Sequence, residues 1–466
     1  MNESFRKKKN PRETALSILN TVDKGRKTLD NILNEVFDEK NPIPKRDRSL
    51  INALVYGVLR WRGRLDWIIG HFSKTRLNRI EPEVLNILRI GLFQVIYLDR
   101  IPVSAAVNTS VEMAKSARSH KRRSLGPWVA RFVNGVLRNA VRGYETVPFP
   151  DMDKDPLSAL AAGKSFPKWL IKRWLNCFGI EETGRLCDAI NTIPPITVRT
   201  NTLKTAREDL IKSLEPDVGK IEPAAYSPDG VSFFNPKVSV PEMKAFKDGW
   251  FQVQDEAAQL VTSLLEPHPG DTVLDACAGL GGKTGHIAQM MKNQGRIVAM
   301  DKDSEKLERL GAETKRLGIS IVETCAYDLE KPFEAGFPGF DRILLDAPCS
   351  GLGVLRRNPD IKWSASEKDL SRCRERQTKF LDHLARLVRP SGVLVYAVCS
   401  TEPEENEEVV TTFLERHPEL SVVGCQSSVA SCQSSVAGRQ SVVNPLKTFP
   451  HLDGMDGFFS VCFFKG

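Results

Sequence analysis

The chain has 466 residues, 41% of them hydrophobic, and a formal charge of +8, so two or three domains with real cores are expected rather than one domain or a disordered chain. No run approaches the roughly 20 apolar residues of a membrane span, and the basic start Met1-Asn2-Glu3-Ser4-Phe5-Arg6-Lys7-Lys8-Lys9 lacks the apolar stretch of a secretory signal. The ten cysteines contain no Cys-x-x-Cys pair, which argues against a zinc site or a disulfide framework and for a cytoplasmic protein with reduced thiols and no metal.

Residues 1–150 hold 28 Lys/Arg against 14 Asp/Glu, and the remainder 38 against 44. A basic front on a mildly acidic body points to a polyanion-binding module, although a solvated helical surface would give the same excess. Within 11–142, apolar residues recur at helical spacing. Ala15, Leu16, Ile18, Leu19 and Val22 form one stripe, and Leu29, Ile32, Leu33 and Val36 another. Leu50, Ile51, Leu54, Val55, Val58 and Leu59 continue the pattern, which recurs over 83–98, 103–117 and 127–140. An all-α domain is predicted over 1–145. Arg60, Arg62, Arg64, Lys121, Arg122 and Arg123 lie between the stripes, and Trp61 and Trp67 beside them are expected to be core anchors rather than base-stacking platforms.

A linker with Pro148, Pro150 and Pro156 follows. Over 165–250 short helices and strands are mixed, with Pro194-Pro195-Ile196-Thr197-Val198-Arg199-Thr200-Asn201 opening a strand and Lys247-Asp248-Gly249-Trp250-Phe251-Gln252-Val253-Gln254 closing the region. Residues 146–254 are therefore read as a linker and a small α+β domain. From 255 to 466 an α/β alternation is predicted. Its strands are 272–276, 296–300, 319–324, 341–346 and 393–398, with helices over 283–292, 303–317 and 365–388 and a last strand near 457–464. Cys425-Gln426-Ser427-Ser428-Val429-Ala430 recurs as Cys432-Gln433-Ser434-Ser435-Val436-Ala437 and reads as an expanded surface loop.

The chemistry-bearing residues stand at predicted strand ends. Asp275-Ala276-Cys277-Ala278-Gly279-Leu280-Gly281-Gly282-Lys283-Thr284 follows a strand and opens a helix, and its glycines permit a tight turn and close approach to a ligand. The next strand ends at Asp301, placed to accept from ribose hydroxyls, while Asp303 is better placed as a helix N-cap. Asp328 follows the third strand, where a carboxylate suits the exocyclic amine of adenine or a solvated turn. This order describes a nucleoside cofactor. Without phosphate-binding features, S-adenosylmethionine is favoured over NAD or ATP, with Cys277, Ala278, Gly279, Leu280, Gly281, Gly282, Lys283, Asp301, Asp328 and Asp346 as candidate binding residues.

Two further runs end in thiols, Ile343-Leu344-Leu345-Asp346-Ala347-Pro348-Cys349-Ser350-Gly351 and Val393-Leu394-Val395-Tyr396-Ala397-Val398-Cys399-Ser400-Thr401. Buried parallel strands would deliver both to the ligand-binding edge. Cytosine C5 is a poor nucleophile, but a thiolate added at C6 makes it enamine-like and able to take a methyl group. A carboxyl near N3 stabilises the developing charge, and Asp346 is placed for that. Spacing alone does not say which thiol attacks. Cys177, Cys187, Cys373 and Cys462 are expected to be small buried hydrophobes.

These pieces, with Cys-Ser-Thr-Glu-Pro-Glu-Glu-Asn-Glu at 399–407, make residues 255–466 resemble the RNA (cytosine-5) methyltransferases of the Nop2/Sun group. Gly279-Leu280 stands where that group has Ala-Pro. The resemblance implies that Cys399 is the nucleophile and that Cys349 assists proton removal or product release. The front end is similar to the NusB family of helical RNA-binding domains across Ile90-Gly91-Leu92-Phe93-Gln94 and Val133-Asn134-Gly135-Val136-Leu137-Arg138. The fusion resembles the bacterial branch of the group that methylates small-subunit (16S) ribosomal RNA, which implies deproteinised or early-assembly RNA as substrate; a monomer is expected. The implied fold is an all-α NusB-like domain, a small α+β domain and an α/β Rossmann-like methyltransferase domain. Transfer RNA is the rival substrate, and a non-catalytic RNA-binding or antitermination factor is the rival function.

Overall fold

The apolar stripes of the front end become helices because each can bury one face against its neighbours. The computed structural model describes residues 10–37, 43–117, 125–334, 337–423 and 445–466; the repeated segment at 425–437, the basic start and Lys121, Arg122 and Arg123 lie outside them. The chain divides into two units, one running to Asn191 and including Leu355–Ser364, the other formed by Thr192–Val354 and Ala365–Gly466. Among the described residues no helix is long and apolar enough to cross a membrane.

The first unit holds α1 (Pro11–Val22), α2 (Leu29–Val36), α3 (Lys45–Phe72), α4 (Pro82–Tyr97), α5 (Val103–Lys115), α6 (Trp128–Gly143), α7 (Pro156–Gly163) and α8 (Lys168–Asn191). Asn10 and Thr28 cap α1 and α2 by accepting from backbone N–H groups, and proline opens α1 and α4, where a missing N–H costs nothing. Leu54, Val58, Ile69, Ile87, Leu88, Leu92, Val133 and Leu137 are buried in one core. Gly57 and Gly91 let helices approach closely: a Cβ there would lie 1.9 Å from the Phe93 ring and 2.6 Å from Ser110 Oγ. Trp61 is half-buried and stacks on Tyr97, whereas Trp67, expected as a core anchor, is exposed: it stacks on Phe149 at the surface and donates to the Pro148 carbonyl at 3.0 Å. In the segment Leu355–Ser364, Lys362 is buried and its Nζ donates to Asn191 Oδ1 at 2.7 Å.

As expected after 165, the helices are short: α8 is two helical segments separated at Gly179, whose φ of +76° is non-helical. That break corrects the expectation for Cys177. Leu170, Ile171 and Trp174 are buried, but the turn before Gly179 leaves the core and Cys177 is exposed. Cys187 and Cys373 are buried as expected, whereas Cys462 is only partly so.

The second unit opens with β1 (Ile196–Thr200), α9 (Arg207–Leu214), β2 (Lys220–Pro223), β3 (Gly230–Phe234), α10 (Lys244–Lys247) and β4 (Phe251–Val253). The strands form an antiparallel sheet in the order β2-β3-β1-β4. There follow α11 (Glu256–Leu265), β5 (Thr272–Asp275), α12 (Gly282–Met290), β6 (Arg296–Asp301), α13 (Ser304–Leu317), β7 (Val322–Ala326) and β8 (Phe340–Asp346). After α14 (Ile361–Ser364), which belongs to the helical unit, come α15 (Glu367–Ala385), β9 (Val388–Val398), α16 (Glu407–Arg416), β10 (Leu420–Val423), β11 (Leu446–Thr448), α17 (Pro450–Asp453) and β12 (Phe458–Lys465).

The larger sheet has the order β10-β12-β9-β8-β5-β6-β7, with β11 on β12. Strands β5 to β9 are parallel, and β12 is antiparallel to β9. Helices on both faces explain why Val273, Leu274, Ile343, Leu344, Leu345 and Leu394 are fully buried without alternation. The chain moves outward from β5 through β6 and β7, then returns on the other side as β8. That reversal opens a crevice beyond the carboxyl ends of β5 and β8.

The strand expected at 319–324 begins later, at Val322. Gly318, at φ +78°, ends α13 and bonds back to the carbonyls of Lys315 and Thr314, so Ile319 packs into the core as the helix's landing rather than as strand. The turn-forming run Arg389-Pro390-Ser391-Gly392 hid the early part of β9.

Candidate active site

The turn from β5 to α12 is set by glycine geometry. Gly279 and Gly281 have φ of +55° and +83°. A Cβ on Gly281 would lie 2.7 Å from Leu310 Cγ, whereas nothing lies within 4 Å of one on Gly279 or Gly282. Backbone bonds tie the turn to its neighbours: Ala276 N–H donates to the Leu344 carbonyl and Ala278 N–H to the Met300 carbonyl, both at 2.8 Å. Gly279 N–H donates to Asp301 Oδ2 at 3.0 Å, and Asp301 Oδ1 accepts from Asp303 N–H at 2.9 Å. Asp303 itself caps α13 by accepting from Glu305 and Lys306, as its position suggested.

Cys277 is partly buried on this turn, its thiol pushed up first by burial and then by Asp346, Asp275 and Asp301, and Leu280 is exposed. Asp275 is fully enclosed. Its Oδ2 accepts from Thr284 Oγ at 2.6 Å, and its Oδ1 has no hydrogen-bond partner among the described residues. Asp328 stands beyond β7 and accepts from Glu330 N–H at 3.1 Å, a turn contact that leaves its carboxylate partly exposed.

Lys283 Nζ donates to Asp346 Oδ2 at 2.5 Å and lies 5.3 Å from the centre of the Phe458 ring. Burial opposes the ammonium, but the Asp346 charge and hydrogen bond outweigh it and raise the Lys283 pKa. The register Asp346↔Ala397 brings the ends of β8 and β9 level. Cys349 Sγ and Cys399 Sγ consequently stand 3.2 Å apart. The Cys349 thiol is pushed well up by its hydrogen bond to Cys399, then by burial and the charges of Cys399 and Glu405. The crevice thus gathers the glycine turn, Asp301, Lys283, Asp346, Cys349 and Cys399.

Residues not singled out from the sequence hold this arrangement. Gly353 and Gly457 cross so closely that a Cβ on Gly353 would lie 1.9 Å from the Gly457 carbonyl oxygen, and Gly353 N–H donates to the Cys399 carbonyl at 2.9 Å. Glu405 is fully buried and accepts from Ser350 and Ser400. Its signal was hidden in an acidic run that looks like a solvated face, although Glu402, Glu405 and Asn406 are buried in the turn before α16. From β1, the buried Arg199 donates to the Gly282 carbonyl at 3.0 Å, to Gln252 at 2.8 Å, to Gln289 at 3.2 Å and to Gln254, fastening α12 to the smaller sheet. Burial pushes its pKa down to about 9.

A family model for the 16S rRNA methyltransferase RsmB/F matches residues 262–464. A Bacillus subtilis protein named "Probable ribosomal RNA small subunit methyltransferase B" is 35% identical over 456 residues, 97% of this chain and 98% of its own length. The chain belongs to the RsmB family of ribosomal RNA small subunit methyltransferases. Ribosomal RNA small subunit methyltransferase B of Pseudomonas putida is 35% identical over 412 residues, 88% of this chain and 90% of its own. The crystal structure of PH0851 superposes with a TM-score of 0.79 at 27% identity, covering 98% of this chain and 99% of that one. The NusB family matches residues 9–142, and the ferredoxin-like domain of RsmF/B-like methyltransferases matches 166–240. RsmB-type organisation therefore holds throughout: a NusB-type helical domain, a ferredoxin-like α+β domain and an α/β methyltransferase domain.

S-adenosylmethionine is the cofactor of this methyltransferase family. The residues present fit it. Gly279 and Gly282 leave open space at the turn, Asp275 offers a buried oxygen with no partner among the described residues, and Asp301 and Asp328 follow at the next two strand ends. Such a row of acceptors suits an ammonium, ribose hydroxyls and an adenine amine in turn.

Proposed function

We propose that this RsmB-family chain methylates C5 of a cytosine in 16S ribosomal RNA, through a covalent bond between Cys399 and C6. The observation that carries the reading is the pair of thiols 3.2 Å apart beside the Lys283–Asp346 ion pair. When bound, S-adenosylmethionine supplies an electrophilic methyl group. Cys399, as thiolate, forms the bond to C6, and the electron pair of the C5–C6 double bond becomes available at C5. An exchangeable proton held by the Lys283–Asp346 pair is shared with N3 as charge develops on the ring. After methylation, Cys349 assists removal of the C5 proton. Elimination then restores the double bond, breaks the bond to C6 and returns its electron pair to Cys399.

The environment of Cys349 supports this order of events. Its pKa is raised first by the hydrogen bond to Cys399. Once Cys399 is a thioether it carries no negative charge and accepts only weakly, so Cys349 becomes easier to ionise when a base is needed. The target base leaves its stack to reach the thiols. Residues 1–145 and 146–254 hold the RNA while 255–466 perform the chemistry. The substrate is deproteinised or early-assembly RNA and the enzyme acts as a monomer.

The test combines labelled S-adenosylmethionine with naked 16S ribosomal RNA and with transfer RNA, reading the modified nucleoside by mass spectrometry. Wild type is expected to form 5-methylcytosine in the ribosomal RNA and Cys399→Ala none. Full activity in Cys399→Ala would remove the nucleophile assignment. Product only in transfer RNA would move the substrate.

A further inference from the structure

Glu405 touches neither thiol, yet it holds the turns that carry both. Its Oε1 accepts from Ser350 N–H at 2.8 Å and from Gln377 Nε2 at 3.1 Å. Its Oε2 accepts from Ser350 Oγ and from Ser400 Oγ, each at 2.5 Å. Ser350 follows Cys349 directly, and Ser400 follows Cys399. Gln377, itself fully buried on α15, also donates to the Pro348 carbonyl at 3.0 Å, on the other side of Cys349. The backbone of Glu405 is fixed as well: Tyr396 OH donates to its carbonyl at 2.7 Å, and its own N–H donates to the Glu402 carbonyl at 3.1 Å.

A carboxylate buried this deeply is costly, and well-packed apolar residues often serve stability equally well. What the carboxylate adds is geometry, because two oxygens in one rigid plane fix two separate turns at once. We propose that Glu405 is a positioning residue that sets the separation of Cys349 and Cys399 by clamping Ser350 and Ser400. The consequence for methylation rests on the functional reading above; the consequence for thiol separation does not.

The substitution Glu405→Gln is informative because its amide matches the site. The amide oxygen can accept from Ser350 N–H and Gln377, and the two amide hydrogens can donate to two serine hydroxyls that rotate to receive them. Glu405→Ala has no bridge, and Glu405→Asp is one methylene short. Full-length wild type and the three variants are treated with dibromobimane, which joins neighbouring thiols, and the joined Cys349–Cys399 peptide pair is quantified by mass spectrometry. Methylation kinetics are measured in parallel. Joining in Glu405→Gln is expected within about twofold of wild type, and in Glu405→Ala about tenfold slower or more. kcat in Glu405→Ala should fall about 10²-fold with KM changed only a few-fold, the pattern of misplaced reacting groups. Glu405→Asp, which keeps the charge, gives the same reading should the alanine variant fail to fold.

Joining and kcat at wild-type levels in the alanine or aspartate variant would overturn the proposal. Loss of joining in them, with no 5-methylcytosine formed even by wild type, would uphold the clamp and remove the functional reading.

Discussion

Asp275 is a fully buried carboxyl group that this fold holds at a cost. Burial first, and then Asp346 and Asp301, push its pKa up to about 7, with the Thr284 hydrogen bond and the Lys283 charge pulling the other way. An unfolded Asp titrates near 3.9. The folded value is the higher one, so the folded state binds this proton more tightly. Stability from this group is therefore fully present below about pH 4 and lost as pH rises through about 7. Three units at about 1.4 kcal/mol each give a loss of about 4 kcal/mol by about pH 8, of which about 1.5 is already gone at about pH 5. Asp275→Asn has no proton to lose. Its amide keeps an acceptor for Thr284 but buries an unpaired donor, costing about 1–3 kcal/mol at every pH. Hydrogen exchange read on peptides from β5 and α12 reports opening of this unit without requiring the whole chain to melt in one step. Intrinsic exchange varies with pH alike in both proteins, so the difference isolates Asp275. Between about pH 5 and 8 the wild type should lose about 2–3 kcal/mol relative to Asp275→Asn. Parallel pH profiles would show that Asp275 does not carry a raised pKa in the folded protein.

Arg199→Met should destabilise the contact between α12 and the smaller sheet by about 1–3 kcal/mol, since the Gln252, Gln254, Gln289 and Gly282 oxygens lose their shared donor; exchange in α12 measures it, and Arg199→Lys should rescue poorly because its ammonium lacks the planar fork. Gly281→Ala combines a left-handed φ of +83° with a Cβ 2.7 Å from Leu310 and should cost about 1–3 kcal/mol in a denaturant titration. Gly282→Ala meets open space and should leave stability unchanged while weakening S-adenosylmethionine binding in equilibrium dialysis, because the methyl group enters the cradle.

Most of the architecture was legible because the α/β alternation is written in uninterrupted buried runs such as Ile343-Leu344-Leu345 and Val393-Leu394-Val395. Strand ends were legible for the same reason, and with them the meeting of Cys349 and Cys399 at one edge. The pairing of Lys283 with Asp346 was not, because the two are far apart in sequence and only the parallel register of β5 and β8 makes them neighbours. Arg199 looked like an ordinary strand residue, its partners being glutamines that carry no charge signal. Glu405 was hidden by composition, since acidic runs usually face water. Cys177 misled because a lone cysteine is usually a small buried hydrophobe, whereas this one lies in the exposed turn before the break at Gly179.

The most direct test of the covalent account is a denaturing gel of protein incubated with labelled 16S ribosomal RNA and S-adenosylmethionine. Cys349→Ala should accumulate a denaturant-resistant protein–RNA adduct, because addition by Cys399 proceeds while release stalls, and the double variant Cys349→Ala/Cys399→Ala should form none. An adduct that persists in the double variant, or one formed by Cys399→Ala but not by Cys349→Ala, would contradict it.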